Sequence, residues 1–268
     1  MTNRKRITIK SLLSKKKKGE KIVCLTAYDY PTAKALDDAG VDLILVGDSA
    51  GMVMAGHEST LPITMDEMIF MTQWVTRADT NALVIGDMPF GSYQPDIATA
   101  IKNAVRFMTE GKADGVKLEG GKRAFKTVSA LTDYGIPVFG HIGMTPQSVN
   151  QYGGYKVQGK TKSSKEELIE DALALQEAGA FAMVLEAMKT ETARAVTEAV
   201  DIPTIGIGAG NVCDGQILVV HDLLGLFDGF KPTFVRRYAE VGKTIRKAVS
   251  AFSKDVRKGK FPSEDESY

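Results

Sequence analysis

The chain has 268 residues, and 34 lysines and arginines face 33 aspartates and glutamates, so its formal charge is +1. Apolar residues make up 44% and charged residues 25%, which excludes a disordered chain and argues against a dedicated nucleic-acid binder. No apolar run approaches the roughly 18 residues of a transmembrane helix, the first residues lack a signal-peptide core, and the two cysteines have no metal or redox spacing. We therefore expect a cytoplasmic globular protein with no membrane contact.

Short apolar segments alternate with amphipathic ones along the whole chain. Continuous apolar runs, which are typical of parallel strands buried on both faces, predict strands at 22–27, 42–47, 82–87, 115–119, 137–140, 180–186, 203–207 and 216–220. Helical periodicity predicts helices at 30–39, 64–77, 95–110, 123–133, 165–178 and 190–199. Thr64 with Glu67, and Ser164 with Glu167, have the spacing of capping boxes. Eight strand–helix alternations predict a (β/α)8 barrel, with 1–268 forming a single domain.

A weak internal repeat supports the barrel. After Gly40, Gly111 and Gly179 a strand follows and ends in an acid seven or eight residues later. Glycine fits the left-handed position at which a helix gives way to a strand. Outside the barrel we expect an N-terminal extension over about 1–20 and a short polar tail over about 262–268.

Two further segments interrupt the alternation. The run of four lysines at 15–18 has the charge to contact nucleic acid or a membrane, but in a nearly neutral chain a solvated helix end is favoured. The polar, glycine-rich segment 150–162 is too long for a plain turn between a strand and a helix. It is either a surface loop or a lid.

Four carboxylates follow predicted strands at equivalent positions: Asp48, Asp87, Glu119 and Glu186. The carboxyl ends of barrel strands meet on one face, where the active sites of barrel enzymes lie. A single acid after a strand is often only a helix cap, but clustered carboxylates repel one another unless a cation compensates them. Because no set of cysteines and histidines suits zinc, oxygen ligands point to a hard divalent ion, Mg²⁺ first.

Lys117 lies inside an apolar strand, two positions before Glu119, so both side chains point to the same face. A buried ammonium needs a partner, and the residues leave open whether it is a neighbouring carboxylate or an anionic ligand. His141 is predicted to close strand 5, where it either hydrogen-bonds a substrate oxygen or is structural. The glycines of 206–210 either bind phosphate or, as we favour, form a tight turn.

Together these residues indicate a metal-assisted barrel enzyme that acts on a small anion with a chelating oxygen. Such a site would polarise a carbonyl group, and a free carboxylate would take the α-proton.

Several strings resemble the ketopantoate hydroxymethyltransferase family. They are VGDS at 46–49, GHESTLP at 56–62, KLEGG at 117–121, GHIGMTPQS at 140–148, GGYKVQG at 153–159 and GIGAGNVCDGQ at 206–216. The resemblance runs from about residue 11 to the C-terminus. Because several of these strings are long and occur in order, the resemblance is to this family and not to barrels in general.

The resemblance implies a (β/α)8 TIM barrel of the phosphoenolpyruvate/pyruvate superfamily. It implies transfer of a hydroxymethyl group from 5,10-methylenetetrahydrofolate to 3-methyl-2-oxobutanoate, which gives ketopantoate in the first step of pantothenate and coenzyme A synthesis. It also implies one Mg²⁺ per subunit and a homo-oligomer, typically a decamer.

The resemblance also implies roles for individual residues. The family's metal ligands match Asp48, Asp87 and Glu119, and its proton acceptor matches Glu186. Positions that bind the keto acid match Asp48, Ser49, Asp87, Lys117 and His141. No residue is assigned to the folate.

Two alternatives remain at this point. A metal-dependent lyase of the same superfamily would share the cation and the enolate but would not need folate. A catalytically silent protein would instead use the basic N-terminal segment to bind RNA or a protein partner.

Overall fold

The computed structural model describes residues 4–226, 229 and 232–268. Within these residues eight parallel strands close into a barrel in chain order, with the last strand beside the first. They are β1 Ile22–Thr26, β2 Leu43–Val46, β3 Leu83–Asp87, β4 Gly115–Lys117, β5 Val138–Gly143, β6 Ala182–Glu186, β7 Thr204–Ile207 and β8 Gly215–Leu218. The predicted (β/α)8 barrel is confirmed.

Helices lie between most of the strands. They are α1 Ile9–Lys18, α2 Tyr30–Asp38, α3 Ala50–Val53, α4 Met65–Thr76, α5 Ile97–Thr109, α6 Phe125–Asp133, α7 Val149–Tyr152, α8 Lys162–Glu177, α9 Thr190–Ala199, α10 Val220–Leu224 and α11 Val241–Arg257. Short 3-10 turns occur at Lys122–Ala124, Pro146–Ser148 and Glu264–Glu266. The described chain has no helix between β7 and β8, so the alternation is incomplete there.

The chain forms two compact units, residues 1–219 and residues 220–268. The first contains the barrel, and the second contains α10, α11 and the tail. Residues 262–268 are exposed along their whole length, which agrees with their polar composition. No described helix combines the length and the apolar character needed to cross a bilayer. The single-domain organisation stays a prediction.

The interior of the barrel is filled by apolar side chains from the strands. The buried cluster comprises Leu12, Ile22, Cys24, Leu43, Leu45, Leu83, Ile85, Phe139, Phe181, Ala182, Val184, Ile205 and Ile217. Each large side chain that is removed from water in this way stabilises the fold by about 1.5–3 kcal/mol. Leu12 comes from α1, so the segment predicted as an extension contributes to the core.

Cations of residues 4–18 bind acids at the amino end of the barrel. The Lys15 ammonium lies 2.8 Å from Asp42, and that of Lys16 lies 2.9 Å from Asp214. Each acid also accepts a backbone N–H from a strand. Asp42 accepts that of Val23 in β1, and Asp214 accepts that of Thr204 in β7. Residues 17 and 18 are exposed, as predicted for a solvated helix end. For Lys15 and Lys16 that prediction is wrong, because both bind acids of the barrel.

One of the two predicted helix caps is wrong. Thr64 and Glu67 form the expected capping box at the start of α4. The helix α8, however, begins at Lys162 with Thr161 as its N-cap, and Ser164 is the third helical residue. The Thr161 hydroxyl accepts the N–H of Ser164, and the Ser164 hydroxyl accepts the N–H of Thr161. Because this earlier pair already closes a box, Ser164 and Glu167 lie inside the helix.

The repeat glycines serve two different purposes. Gly40 and Gly179 have φ of 89° and 91°, the left-handed conformation that we predicted. At Gly111 the left-handed residue is instead Lys112, with φ of 58°. A Cβ at position 111 would lie 2.8 Å from the Phe107 carbonyl oxygen, so glycine is required there for space.

Among the strand ends that differ from the sequence-based expectation, two bear on the site. The strand β5 continues to Gly143 by pairing with β6, so His141 lies within the strand and does not close it. The predicted strand ends at residue 140 because Gly140 and His141 interrupt the apolar run. The strand β4 ends at Lys117, so Glu119 lies two residues beyond it.

Candidate active site

The carboxyl ends of five neighbouring strands bring the predicted site residues together. Asp87 and Glu186 are the last residues of β3 and β6, and Asp48 and Glu119 lie two residues beyond β2 and β4. Asp48, Asp87, Lys117, Glu119 and His141 are all at least 95% buried. Charged side chains at this depth require partners, and their contacts define what the site can do.

Lys117 and Asp87 form a buried ion pair on adjacent strands. The ammonium lies 2.8 and 2.9 Å from the two carboxylate oxygens of Asp87, and the backbone N–H of Asp48 donates to Asp87 Oδ2 at 3.1 Å. Burial raises the pKa of Asp87 to about 7, against the opposing effect of the Lys117 charge. Burial alone would lower the pKa of Lys117, but the charges of Asp87, Asp48 and Glu119 outweigh it and raise that pKa. Lys117 is therefore an ammonium ion.

His141 lies between two carboxylates. Its Nδ1 is 3.5 Å from Glu119 Oε1 and its Nε2 is 3.2 Å from Glu186 Oε2. Neither ring nitrogen makes a hydrogen bond with the described residues, and Glu119 Oε1 is likewise buried without a hydrogen-bond partner among them. Burial and the Lys117 charge act to lower the pKa of His141, but Glu119 and Glu186 raise it to about 9.

Gln147 and Tyr93 connect the acids of different strands. The Gln147 amide donates to Asp48 Oδ2 at 3.0 Å, and its backbone N–H donates to Glu119 Oε2 at 3.1 Å. The Tyr93 hydroxyl donates to Gln147 Oε1 at 2.7 Å and accepts the N–H of Glu119 at 3.1 Å. The sequence-based site omitted both residues, although Gln147 lies in the GHIGMTPQS segment after β5, where a polar side chain is a usable signal.

Ser49 is next to Asp48, and its hydroxyl lies 2.9 Å from that of the buried Tyr28. Asp29, by contrast, caps α2 by accepting the N–H of Thr32 at 2.7 Å. Ser49 therefore belongs to the site end of the barrel, and Asp29 has a structural role.

The glycine-rich segments lie at the same end. In the 150–162 segment, Tyr155 is 54% exposed and its hydroxyl is 3.9 Å from Met52 Sδ. Burial and the charges of Glu186, Asp48 and Glu119 raise the pKa of Tyr155. The segment is a short helix followed by a loop, and its role as a lid stays a prediction. In 206–210, Gln216 donates to the Gly210 carbonyl at 2.9 Å, as suits a tight turn.

The acids suit a hard divalent cation by donor type. They offer buried carboxylate oxygens, and Glu119 Oε1 in particular lacks a hydrogen-bond partner among the described residues. As the described side chains stand, however, no three histidine, cysteine or acid residues lie close enough to hold a metal ion. The ligand assignment to Asp48, Asp87 and Glu119 and the catalytic role of Glu186 stay predictions.

Comparison with known sequences gives the family directly. The model of the ketopantoate hydroxymethyltransferase family matches residues 6–264. The chain belongs to this family. It is 52% identical over 268 residues to 3-methyl-2-oxobutanoate hydroxymethyltransferase of Moorella thermoacetica, covering 100% of both chains. It is 54% identical over 266 residues to the enzyme of that name from Prosthecochloris aestuarii, covering 98% of this chain and 96% of the relative. The predicted hydroxymethyltransferase class is confirmed, and neither alternative is favoured.

Several solved structures share the barrel fold of this chain. Phosphoenolpyruvate phosphomutase from Streptomyces platensis matches with a TM-score of 0.63 at 13% identity, covering 97% of this chain and 91% of its own. A 2,3-dimethylmalate lyase of the PEP mutase/isocitrate lyase superfamily matches with a TM-score of 0.61 at 16% identity, covering 97% and 91%. A phosphonopyruvate hydrolase solved with oxalate and Mg²⁺ matches with a TM-score of 0.60 at 14% identity, covering 97% and 93%. These likenesses agree with the predicted barrel fold.

Proposed function

We propose that this protein transfers a hydroxymethyl group from 5,10-methylenetetrahydrofolate to 3-methyl-2-oxobutanoate and so forms ketopantoate for pantothenate synthesis. The observation that carries the proposal is the buried Asp87–Lys117 ion pair at the carboxyl end of the barrel, where the charges of Asp48 and Glu119 also act on Lys117. A small 2-oxo acid has the two adjacent oxygen groups that such a mixed site would bind. Relatives named for this substrate align with the chain over its whole length.

Asp48, Asp87 and Glu119 would hold one Mg²⁺ per subunit. Their oxygen donors suit Mg²⁺, and a structural neighbour with the same fold was solved with oxalate, a two-carbon diacid, and Mg²⁺. When bound, the cation would stabilise the negative charge that develops on the 2-oxo group of the substrate. Asp87, which shares its oxygens with Lys117, would contribute as both a ligand and a counter-ion.

Lys117, Ser49 and His141 would orient the keto acid. An ammonium has three N–H donors, and Asp87, its hydrogen-bond partner among the described residues, takes two bonds from Lys117. The remaining donor is available to the substrate carboxylate. The Ser49 hydroxyl, held by Tyr28 at 2.9 Å, and the His141 ring would contact the other oxygens.

Glu186 would remove the C3 proton. Its side chain is 18% exposed, whereas those of Asp87 and Glu119 are 1% exposed, so a substrate that enters the barrel mouth reaches Glu186 first. His141 Nε2 lies 3.2 Å from Glu186 Oε2 and would help to orient the carboxylate toward the substrate. The C3 carbanion would then form a carbon–carbon bond with the one-carbon unit, and both C–N bonds of that unit to the folate would break. A water molecule would supply the hydroxyl group, and its other proton and the proton taken from C3 would go to the two nitrogens, so that tetrahydrofolate leaves. The segment 150–162 would exclude other water from this step.

We also propose a homo-oligomer, a decamer by family resemblance. Phe70 is 53% exposed and its ring centre lies 4.4 Å from that of Trp74 on the outer face of α4. Ile97 and Val105 on α5 are 40% and 41% exposed. Apolar side chains of this size at a surface are typical of protein interfaces. Native mass spectrometry measures the subunit number.

Two free, buried cysteines support the proposed cytoplasmic location. Cys24 and Cys213 form no disulfide, as expected in a reducing compartment.

Deuterium exchange separates proton removal from one-carbon transfer. With Mg²⁺ and no folate, the wild-type protein should exchange the C3 hydrogen of 3-methyl-2-oxobutanoate with solvent deuterium, as followed by NMR. The Glu186→Gln variant keeps the size of the side chain but cannot accept the proton, so exchange should fall by about 10²–10⁴-fold, the usual contribution of a positioned general base. Ketopantoate should form only when methylenetetrahydrofolate is added.

The exposed Glu166→Gln substitution on α8 is the matched control and should leave exchange unchanged. Product formation without folate would contradict the proposed reaction. Exchange at the wild-type rate in Glu186→Gln would leave the reaction standing but show that another group, with His141 the nearest, is the base.

A further inference from the structure

Gln147 is a buried amide, 5% exposed, in the turn that follows β5. We propose that it is a positioning residue that fixes the separation and orientation of Asp48 and Glu119 so that they can bind a divalent cation. This inference rests on the proposed metal-binding role of those acids. The inference adds to the metal site an uncharged residue that would not itself contact the cation.

The contacts of Gln147 reach two acids from different strands. Its Nε2 donates to Asp48 Oδ2 and to the Met88 carbonyl, both at 3.0 Å. Its backbone N–H donates to Glu119 Oε2 at 3.1 Å. One oxygen of each acid is therefore engaged by the same residue, while Glu119 Oε1 has no hydrogen-bond partner among the described residues. A carboxylate that is held by one oxygen presents the other in a fixed direction.

Tyr93 and Gln94 determine which way the Gln147 amide points. The Tyr93 hydroxyl and the Gln94 amide both donate to Gln147 Oε1, at 2.7 and 3.0 Å. If the amide were rotated by half a turn, its oxygen would face the Asp48 carboxylate and the Met88 carbonyl, which are acceptors only. Tyr93 also accepts the N–H of Glu119 at 3.1 Å, so it supports the same acid a second time.

A neutral donor is the side chain that this position requires. Without hydrogen bonds to their oxygens, the like charges of Asp48 and Glu119 would push the two side chains apart. A lysine or arginine in place of Gln147 would supply those bonds but would also place a positive charge where the cation binds. An amide stabilises the carboxylates without competing for them. Residues that hold metal ligands in this way typically contribute a factor of about 10–100 to metal affinity.

Titration of the metal-free protein with Mn²⁺ alone, followed by electron paramagnetic resonance of the free ion, tests the inference without an activity assay. The Gln147→Leu substitution removes the amide, and the dissociation constant for Mn²⁺ should rise about 10–100-fold. Tyr93→Phe keeps the amide but removes the hydroxyl that orients it and that accepts the Glu119 N–H, and the constant should rise by a smaller factor. The smaller change keeps the test available if Gln147→Leu does not fold, which thermal unfolding with chelator present detects.

Gln176→Leu is the matched control. Gln176 Oε1 accepts the backbone N–H groups of Asp201 and Ile202 at 2.6 and 3.3 Å, in the connection that precedes β7, away from the acids. This variant should bind Mn²⁺ as the wild type does. An equal loss of affinity in Gln176→Leu would show a general effect of losing a glutamine hydrogen bond and would overturn the inference.

The remaining outcomes separate the two proposals. If the wild-type protein binds no stoichiometric Mn²⁺, the proposed metal site is wrong and the role of Gln147 falls with it. If the wild type binds Mn²⁺ and folded Gln147→Leu or Tyr93→Phe binds it with the same affinity, the metal site stands and the positioning role is wrong.

Discussion

Both ends of the barrel hold acidic side chains, but the acids at the two ends differ in how fully the protein itself supplies their hydrogen-bond partners. At the amino end, Asp42 accepts the N–H of Val23 and meets the cations of Lys15 and Arg4. Asp214 and Asp114 likewise combine a backbone N–H with a cation of the N-terminal segment. At the carboxyl end, Glu119 Oε1 and both ring nitrogens of His141 have no hydrogen-bond partner among the described residues.

This difference predicts which acids mainly stabilise the fold and which are available to bind a ligand. A carboxylate whose oxygens all receive hydrogen bonds stabilises the fold and has little left to offer a ligand. A buried polar atom without a partner costs free energy, and a ligand that supplies the partner recovers it. We therefore expect substitutions at the amino end to affect unfolding and substitutions at the carboxyl end to affect both unfolding and substrate binding.

The largest effect is expected for Lys117→Met at the carboxyl end. Removing the ammonium leaves Asp87 buried without its cation, so the free energy of unfolding should fall by about 3–5 kcal/mol. The KM for the keto acid should rise about 30-fold or more, since truncating one partner of a buried charge pair costs ~2–5 kcal/mol of binding. Denaturant unfolding and steady-state kinetics measure the two effects.

The double variant Asp87→Asn/Lys117→Met sharpens this test. Its pair is neutral, so much of the lost stability should return, while substrate binding should not. Recovery of both, or an unchanged KM in Lys117→Met, would mean that Lys117 is only a structural partner of Asp87.

At the amino end, Asp42→Ala should lower the free energy of unfolding by about 2–3 kcal/mol, because hydrogen bonds to a charged group are lost and the Val23 N–H is left without its acceptor. The KM for the keto acid should not change. Lys34→Ala, which removes an exposed ion pair with Asp38 on α2, is the control and should cost about 0.3–0.5 kcal/mol. A raised KM in Asp42→Ala would contradict the division between the two ends.

Neighbouring lysines of the 15–18 run offer a smaller, matched comparison. Lys15 is paired with Asp42 and its side chain is 25% exposed, so Lys15→Ala should cost about 1 kcal/mol of stability. Lys17, which is exposed, should tolerate alanine without a measurable change in unfolding. Equal changes in the free energy of unfolding for the two substitutions would show that the run acts through its overall charge and not through the Lys15–Asp42 ion pair.

The last prediction needs no substitution. Burial raises the pKa of the Cys24 thiol, and the nearby Asp42 charge raises it further. The thiol stays protonated in the folded protein at pH 8, so a thiolate-directed reagent should label Cys24 only after denaturation, as peptide mass spectrometry detects. Labelling of Cys24 in the native wild type would mean that the amino end opens, and Lys15→Ala should accelerate any such labelling.

The strands and the acids that follow them were accessible from the sequence. Parallel barrel strands are buried on both faces, so they appear as apolar runs, and an acid at the end of such a run is conspicuous. The start of α8 is harder to place from the sequence, because Thr161 and Ser164 both have side chains that can cap a helix. The hydrogen bonds between them show that Thr161 is the N-cap. The β5 boundary was missed because β6, not local composition, extends the strand to Gly143.

The partners of the site residues depended on the fold. The sequence showed that Lys117 needs an anion but left the choice open, and the adjacent register of β3 and β4 supplies Asp87. Gln147 and Tyr93 were missed because both are uncharged loop residues. Their contacts join positions 99 and 54 residues apart, from Gln147 to Asp48 and from Tyr93 to Gln147.

Apolar runs and ordered motifs are local properties of a chain, so the amino-acid sequence is enough to predict the barrel, the end at which the acids gather, and the family. Which acids have all their hydrogen bonds made within the protein, and which have an oxygen without a partner, depends instead on the folded arrangement. The lysines at 15 and 16 match those at 17 and 18 in composition, yet one pair binds the barrel and the other faces solvent. Partner choice depends on distances of a few ångströms between segments far apart in the chain, and no local pattern encodes them.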